Sequence, residues 1–449
     1  IEETSFALMF LARGRHAVLL NKLSYEGKWN PRPRDAANFS SWMSRTFEQN
    51  VGWQIVRLDA KSSDLHDAPI LYISGAGPCE LSDAQIDKIR DFVNRGGLLV
   101  SESAGNNGDF TLDIQKLHKK LFPQYPAAKI KPDNIIHNAN FKTALDVDPA
   151  LVGVSNGVRL LAIHCPNELS LGLQLGYKQH YRNSFELLGN ISLYVTDKGS
   201  LPDRWAAESW PVAKQFQPKE TIAVARLKYS GNYDPEPLAW RRLAILMGNK
   251  HQIKLDVTEP MDIAKLDVSK WPVATMTGTD DFTLTDAELE ALKKYLESGG
   301  TLIIDSAGGG KAFTQAVEKQ IVPLLPDSFA GLVAPSHAIL QSPAPVKIAY
   351  RRELSISLGA GKNTSRLRGV QVGERLAILY SPDDLTAGMA GYRVMGINGY
   401  TPDTAVALMT NMLIYAASSK PQDKHTPATT QPATSPTISD TPTSSPISE

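Results

Sequence analysis

SGAGPCELSDAQIDKIRDFVNRGGLLVSESAG, residues 74–105, returns as TGTDDFTLTDAELEALKKYLESGGTLIIDSAG, residues 277–308, displaced by 203 positions from Gly96 to Gly299. Both stretches leave a glycine turn and pass a polar helix start, Ser82 or Thr285, with Asp83 or Asp286 in the first turn. An amphipathic helix follows, closes on Gly-Gly, and gives way to an apolar run, LLVSES or TLIIDS. Turn, helix, turn and strand in that order belong to a βαβ unit, which needs a parallel sheet. Upstream, LSYEGKWNPRP at 23–33 returns as LKYSGNYDPEP at 227–237. The chain therefore carries two copies of one domain, and every reactive residue has a twin on which a shared role can be checked.

Working outward, AVLLNKLSY and IAVARLKY read as first strands, WQIVRL and IKLDV as second, PILYISG and PVATMTG as third. VRLLAIH and RLAILY complete the pattern, and helices are expected at 38–49 and 238–248. The fold class predicted is α/β, two tandem flavodoxin-like three-layer domains, each a parallel sheet of about five strands between helices. The expected division is 16–198 and 221–417 for the repeats, with a Trp- and Pro-containing linker at 199–220. Residues 1–15 read as a terminal helix of an upstream helical domain, closing on Arg13 and Gly14. Residues 418–449 are Ser, Thr and Pro with few apolar side chains, and are expected to be disordered.

The 449 residues include 47 Lys and Arg against 47 Asp and Glu, a formal net charge of zero, which argues against a nucleic-acid partner. No run of 18 apolar residues occurs, so no membrane-spanning segment is expected here. Only Cys79 and Cys165 are present, too few for a disulfide scaffold or a cysteine-rich zinc site. Alignment of the copies sets them against Phe282 and Tyr380, which favours small apolar fillers over reactive thiols.

In open parallel sheets ligands bind beyond the carboxyl ends of the strands. The repeated segments at those ends contain Trp29, Arg32, Gly75, Glu102, Ser103 and Asn106 in the first copy, and Tyr233, Gly278, Asp280, Asp305 and Ser306 in the second. Glu102 and Asp305, each followed by Ser-Ala-Gly, are either an acid/base or cation ligand, or carboxylates that fix neighbouring turns. The glycines would let a ligand approach the backbone. GGGK at 308–311 lacks phosphate-loop spacing, and the nine histidines form no HExxH or HxH motif. His337, whose twin is Asn134, joins Asp305 and Asp280 as the titratable set of the second copy; a hydrogen-bonding role tolerates the exchange with asparagine, catalysis in both copies does not. His137 and His164 have no histidine twins. Arg32 and Arg34 face Glu236 and Leu238, so the two copies would not share a ligand. Asn190 and Tyr194 match Asn411 and Tyr415, four apart on one helical face, and are expected to dock the final helix on the sheet.

At NKLSYEGKWNPRPRD, LYISGAG, LSDAQIDKIRDFVNRGGLLVSES, ARLKYSG and APSHAIL the chain resembles domain of unknown function 4159, in tandem over most of 16–417. That family resembles the class I glutamine-amidotransferase-like superfamily, trehalose-utilisation-type proteins included. The resemblance implies a flavodoxin-like fold. It implies an amidotransferase cysteine after the fourth strand only where one stands, and here Glu102 and Asp305 occupy that place. IEETSFALMFLARGRHAVL resembles the last helix of a squalene-cyclase or prenyltransferase-type toroid, and such relatives imply export to a bacterial envelope. The function expected is a noncatalytic tandem module that binds a protein, glycan or small ligand at the strand ends, without a cofactor or metal. The alternative is a hydrolase using Asp305 and His337, and a third reading has the first copy complete the site of the second.

Overall fold

The structure, a computed structural model, describes residues 4–5, 14, 16–143, 151–204, 210–326, 328–359 and 364–418. Apart from residues 4, 5 and 14, the expected terminal helix lies outside the described residues, as does the expected tail beyond Ser418. The first repeat carries β1 (Ala17–Ser24), β2 (Val51–Arg57), β3 (Ile70–Gly75), β4 (Leu98–Ser103), β5 (Ala127–Lys129), β6 (Val152–Ser155) and β7 (Leu160–Cys165). They form one sheet in the order β2-β1-β3-β4-β7-β6-β5. The second repeat carries β8 (Glu220–Lys228), β9 (Ile253–Val257), β10 (Met261–Asp262), β11 (Val273–Gly278), β12 (Thr301–Ser306), β13 (Phe329–Leu332), β14 (Arg368–Val372) and β15 (Arg375–Ser381). Its order is β10-β8-β11-β12-β15-β14-β13, with β9 also on β8.

Both repeats are therefore α/β domains with mostly parallel sheets flanked by helices. The sheets exceed the expected five strands because β6 with β5, and β14 with β13, add antiparallel strands beyond β7 and β15. Those strands are three to five residues long and three of the four carry a glycine, so hydrophobic periodicity did not announce them. At the centre, every residue of β3, β4 and β12 is buried, as a sheet covered on both faces requires.

The helices Asp83–Asn94 and Asp286–Glu297 show how the shared sequence writes the frame. Each starts on a capping box, Ser82 with Gln85 or Thr285 with Glu288. Ile86, Ile89, Phe92 and Val93 bury one face, as do Leu292, Tyr295 and Leu296 in the second copy. Gly96 and Gly299 leave the helix at positive φ, 105° and 102°. An arginine from the last parallel strand then receives the helix end: Arg159 donates to the carbonyls of Val93 (2.6 Å) and Gly97 (3.3 Å). Arg375 donates to those of Leu296 (2.9 Å) and Gly300 (2.8 Å). Val93 and Leu296 lack the amide four residues on that a longer helix would supply, and accept from Gly96 and Gly299 besides the arginine.

The final helices dock as expected. The hydroxyls of Tyr194 and Tyr415 accept from the amides of Leu160 (2.8 Å) and Leu376 (3.0 Å), and Asn190 and Asn411 hold the loops around Phe141 and Ala344. Strand register also corrects the alignment of Cys165: Glu102 pairs with Cys165 and Asp305 with Ser381, so Ser381 is its twin, and Tyr380 is the twin of His164. A one-residue offset in the sequence alignment of the last strand caused the difference.

The two repeats meet through the turn between β6 and β7, which lies over the strand ends of the second repeat. Asn156 Nδ2 donates to the Pro235 carbonyl (2.7 Å) and to Glu236 (2.8 Å), and Asn232 Nδ2 donates back to the Asn156 carbonyl (2.7 Å). Arg159 Nε donates to Glu236 Oε1 at 2.9 Å with both side chains 1% exposed, and its guanidinium sits 4.6 Å from the Tyr392 ring centre. Tyr392 in turn donates to the Asn94 carbonyl. The charge reversal between Arg32 and Glu236 is thus explained: Glu236 answers Arg159, whereas Arg32 pairs with Glu168 inside its own repeat at 2.8 Å.

Candidate functional site

The strand-end acids come first, since the sequence singles them out. Glu102 is fully buried at the end of β4; Ser74 donates to one oxygen, and the amides of Leu169 (3.1 Å) and Ser170 (3.5 Å) approach the other. Asp305 takes the equivalent amides, Leu385 (2.8 Å) and Thr386 (2.8 Å). In both copies the carboxylate thus holds the start of the short helix that follows the last parallel strand, Ser170–Leu175 or Thr386–Ala390. Burial pushes Glu102 up to about 7, against the lowering effect of its donors. Burial and then the neighbouring Asp384 push Asp305 up. Asp384 itself accepts from the amides of Gly308, Ala387 and Gly388.

The other strand-end residues serve the same loops. Ser103 and Ser306 donate to the carbonyls of Asn107 (2.6 Å) and Gly310 (2.8 Å), closing the turn after the strand in each copy. Asn106 accepts from the Glu168 amide at 2.8 Å. Gly75 and Gly278 are close-approach positions, but what approaches is the core. A Cβ on Gly75 would lie 2.1 Å from Phe110, and one on Gly278 would lie 2.2 Å from the Tyr229 hydroxyl and 2.3 Å from Phe313. The reading of these two glycines as ligand-approach positions is corrected accordingly. Trp29 packs partly buried on the core of the first repeat, and Tyr233 on that of the second. Asp280 is exposed, accepts from Thr279 at 2.7 Å, and lies in the cleft between the repeats.

His337 and Asp305 are not brought together. His337 Nδ1 accepts from the Ile339 amide at 3.2 Å and caps a short helical turn, and Asn134 does the same for the Ile136 amide at 3.2 Å. The His337 ring stands 5.3 Å from that of Tyr415, whose hydroxyl meets Leu376 at the start of β15. Asp305 is level with Ser381 at the other end of the strand. Five residues of strand, roughly 16 Å, separate those levels.

A feature that the sequence did not indicate rivals the cleft between the repeats, which holds about 580 Å³. Beyond β7 of the first repeat lies a cavity of about 570 Å³, among the described residues. Ile130, Leu151, Leu169, Leu171 and Leu187 supply an apolar wall; Lys129, Lys131 and His180 stand in its lining as exposed basic side chains. Its base includes Cys165, whose thiol burial and the adjacent Glu102 push up to about 12, so the thiolate needed of a nucleophile is strongly disfavoured. His137, also in the lining, is held below its ordinary value by burial. The size lies within the range of small-molecule sites.

In the second repeat the corresponding space is filled. Matching backbone bonds, Thr143 to His137 with Val346 to Leu340 and Ile130 to Leu151 with Val333 to Leu367, bracket residues 144–150 against 347–366, a longer segment in the second copy. Residues 144–150 lie outside the described residues. The longer segment brings Tyr350, buried Arg351 and the helix Arg352–Leu358. A second extension, 391–401 against 176–181, brings Tyr400, which is fully buried, stacks on Tyr350 at 4.8 Å, and accepts from the Arg366 amide at 3.2 Å.

A buried charge pair and its half-buried counterpart also escaped the sequence reading. Lys22 donates to both oxygens of Asp35 (2.6 and 2.7 Å), and Arg226, its twin, pairs with Asp234 instead. A cation in the middle of both first strands was the available signal.

The chain belongs to the family described as Domain of unknown function (DUF4159), whose model matches it twice, over residues 19–222 and 223–417. No curated protein matches the chain. Among solved structures, a thua-like protein from Bacteroides uniformis is 11% identical with a TM-score of 0.24, over 48% of this chain and 97% of that one. The catalytic subunit of cobaltochelatase from Mycobacterium tuberculosis is 13% identical with a TM-score of 0.18, over 71% of this chain and 25% of that one. Likenesses at this level carry no argument about function.

Proposed function

We propose that this chain is a noncatalytic module that binds a small ligand in the cavity of its first repeat, with the second repeat as a packed structural partner. The cavity is the observation that carries the reading: it lies beside the carboxyl end of β7, where open α/β sheets place ligands, and the matching space of the second repeat is closed by Tyr350 and Tyr400. The chemistry around it favours binding over turnover. Glu102 and Asp305 are occupied by backbone amides, and the Cys165 thiol is pushed up by burial. The further placement of the module in a bacterial envelope, and its kinship with glutamine-amidotransferase-like proteins, belong to the same proposal; support for the first is the Ser/Thr/Pro composition of 418–449, and for the second the mostly parallel sheet between helices in each repeat.

The test is a thermal-shift screen of small molecules against the wild type and Leu171→Trp, which puts an indole into the cavity. A ligand that raises the wild-type Tm, leaves Leu171→Trp unmoved and still stabilises Asp280→Ala supports the reading. Ligands that act on the Leu171→Trp variant as on the wild type would overturn it.

A further inference from the structure

We infer that the ligand of the first-repeat cavity is an amphipathic anion, an apolar body carrying one carboxylate or phosphate group; this rests on reading that cavity as the binding site. The apolar wall calls for a hydrocarbon body, since burying it against leucines and isoleucine is where the gain in such a site lies. The sign of the head group follows from the charges around the wall. Lys129 and Lys131 stand on one side and His180 on another, while Glu168 is the single carboxylate among the described lining residues and is already engaged by Arg32 at 2.8 Å and by the Ser170 hydroxyl at 3.4 Å. The 15-residue helix Arg182–Thr196 also starts at the cavity, with Asn183 and Ser184 in the lining, no side-chain cap, and no acidic residue in its first turn. Its positive end adds to the field of the lysines.

The second repeat gives an independent check. Strand register and backbone bonds place Leu332 and Ala334 where the first repeat has Lys129 and Lys131, and Asp383 where it has Asn167. Where the space is filled by tyrosines the two lysine positions are apolar and the acid that replaces Asn167 faces Arg366 at 3.4 Å; where it is open both lysines are present. Lysines needed only for solubility would have no reason to follow the cavity.

The experiment is calorimetric titration of the full chain with octanoate, octyl phosphate and octanol, at 50 and 500 mM salt, using wild type, Lys129→Glu/Lys131→Glu and Leu171→Trp. We expect one of the two anions to bind at least tenfold more tightly than octanol, with several-fold weakening at high salt. The double charge variant should abolish that advantage and leave octanol binding intact, and Leu171→Trp should remove binding of all three. The better of the two anions then identifies the head group. Equal affinity for octanol and both anions, unmoved by the charge variant, overturns the anionic class and leaves the cavity as a binding site. Absence of binding by any probe, or identical titrations of wild type and Leu171→Trp, overturns the inference and the proposed site together.

Discussion

The two repeats share a frame down to single hydrogen bonds and part company at one place. Capping boxes, Gly-Gly turns, the arginines that receive the helix ends, the strand-end acids and the Asn/Tyr docking pair all recur. Beyond β7 and β15 they differ: an open cavity in the first, and in the second two longer loops whose tyrosines stack in the corresponding space. Parts that recur are those that satisfy backbone groups every such fold leaves open. Parts that differ are free to carry a ligand, or to give up that capacity for packing. A second asymmetry lies at the junction, where Arg159 keeps its duty to the helix end and also takes Glu236, while Arg375 has no acidic partner of that kind among the described contacts.

The junction offers the largest test. Removing one member of a buried ion pair leaves the other uncompensated, which typically costs about 3–5 kcal/mol. Arg159→Ala and Glu236→Ala should each lose stability on that scale in denaturant titrations. A double-mutant cycle should show strong coupling, because the second removal relieves the orphaned charge. Arg375→Ala should cost less, since it forfeits helix-end bonds only. Equal costs for Arg159→Ala and Arg375→Ala would erase the asymmetry claimed for the junction. Next in size is Tyr400→Ala, which should empty part of the filled space at roughly 3–4 kcal/mol. If the second repeat collapses around the gap the cost falls; a variant that then binds the octyl probes would show that filling alone separates the repeats.

The frame was legible because it is written in local rules. Ser82 with Gln85, the apolar positions of Asp83–Asn94 and the Gly-Gly stop each act within a few residues, so periodicity and caps place them. The strand-end acids were found for the same reason, though the amides they take lie 67 and 68 positions away for Glu102 and 80 and 81 for Asp305, and only the fold could show that amides rather than a ligand occupy them. Gly75 was read as a site of ligand approach because the sequence does not say that Phe110 lies beneath it. The cavity was illegible for a deeper reason: an unfilled space is a relation between Leu151, Leu171 and Leu187, which are ordinary core residues one at a time. The length difference at 144–150 against 347–366 is the one trace of it in the sequence.

Titration gives a third comparison. Burial raises Glu102 to about 7 from 4.5, so its contribution to stability is fully present below about pH 4.5 and is lost as pH rises through 7. A shift of that size corresponds to about 3 kcal/mol between those limits. Relative to wild type, Glu102→Gln should therefore become more favourable by about that amount between pH 4.5 and 8, measured by urea unfolding at each pH. Asp305 is raised in the same direction, with Asp384 adding to burial, so Asp305→Asn should show the same trend. A flat difference for both would mean that their donors, not burial, govern the carboxyls.

The smallest effect is the most discriminating between a structural and a reactive second repeat. His337 and Asn134 cap equivalent turns through side-chain acceptors, so His337→Asn should change stability by less than about 0.5 kcal/mol, whereas His337→Ala should cost about 1 kcal/mol, the usual loss for a cap. Burial holds His337 below its ordinary value, and the neutral ring is the form that accepts from the Ile339 amide. Its contribution is present above about pH 6.5 and fades as pH falls through the lowered value, so the wild type should lose more stability between pH 7 and 5 than His337→Asn does. That comparison separates two roles by one exchange. Asparagine can accept a backbone hydrogen bond at any of these pH values but cannot act as a general base, so a variant that keeps its stability while losing a measured hydrolytic activity would return the second repeat to the enzymes.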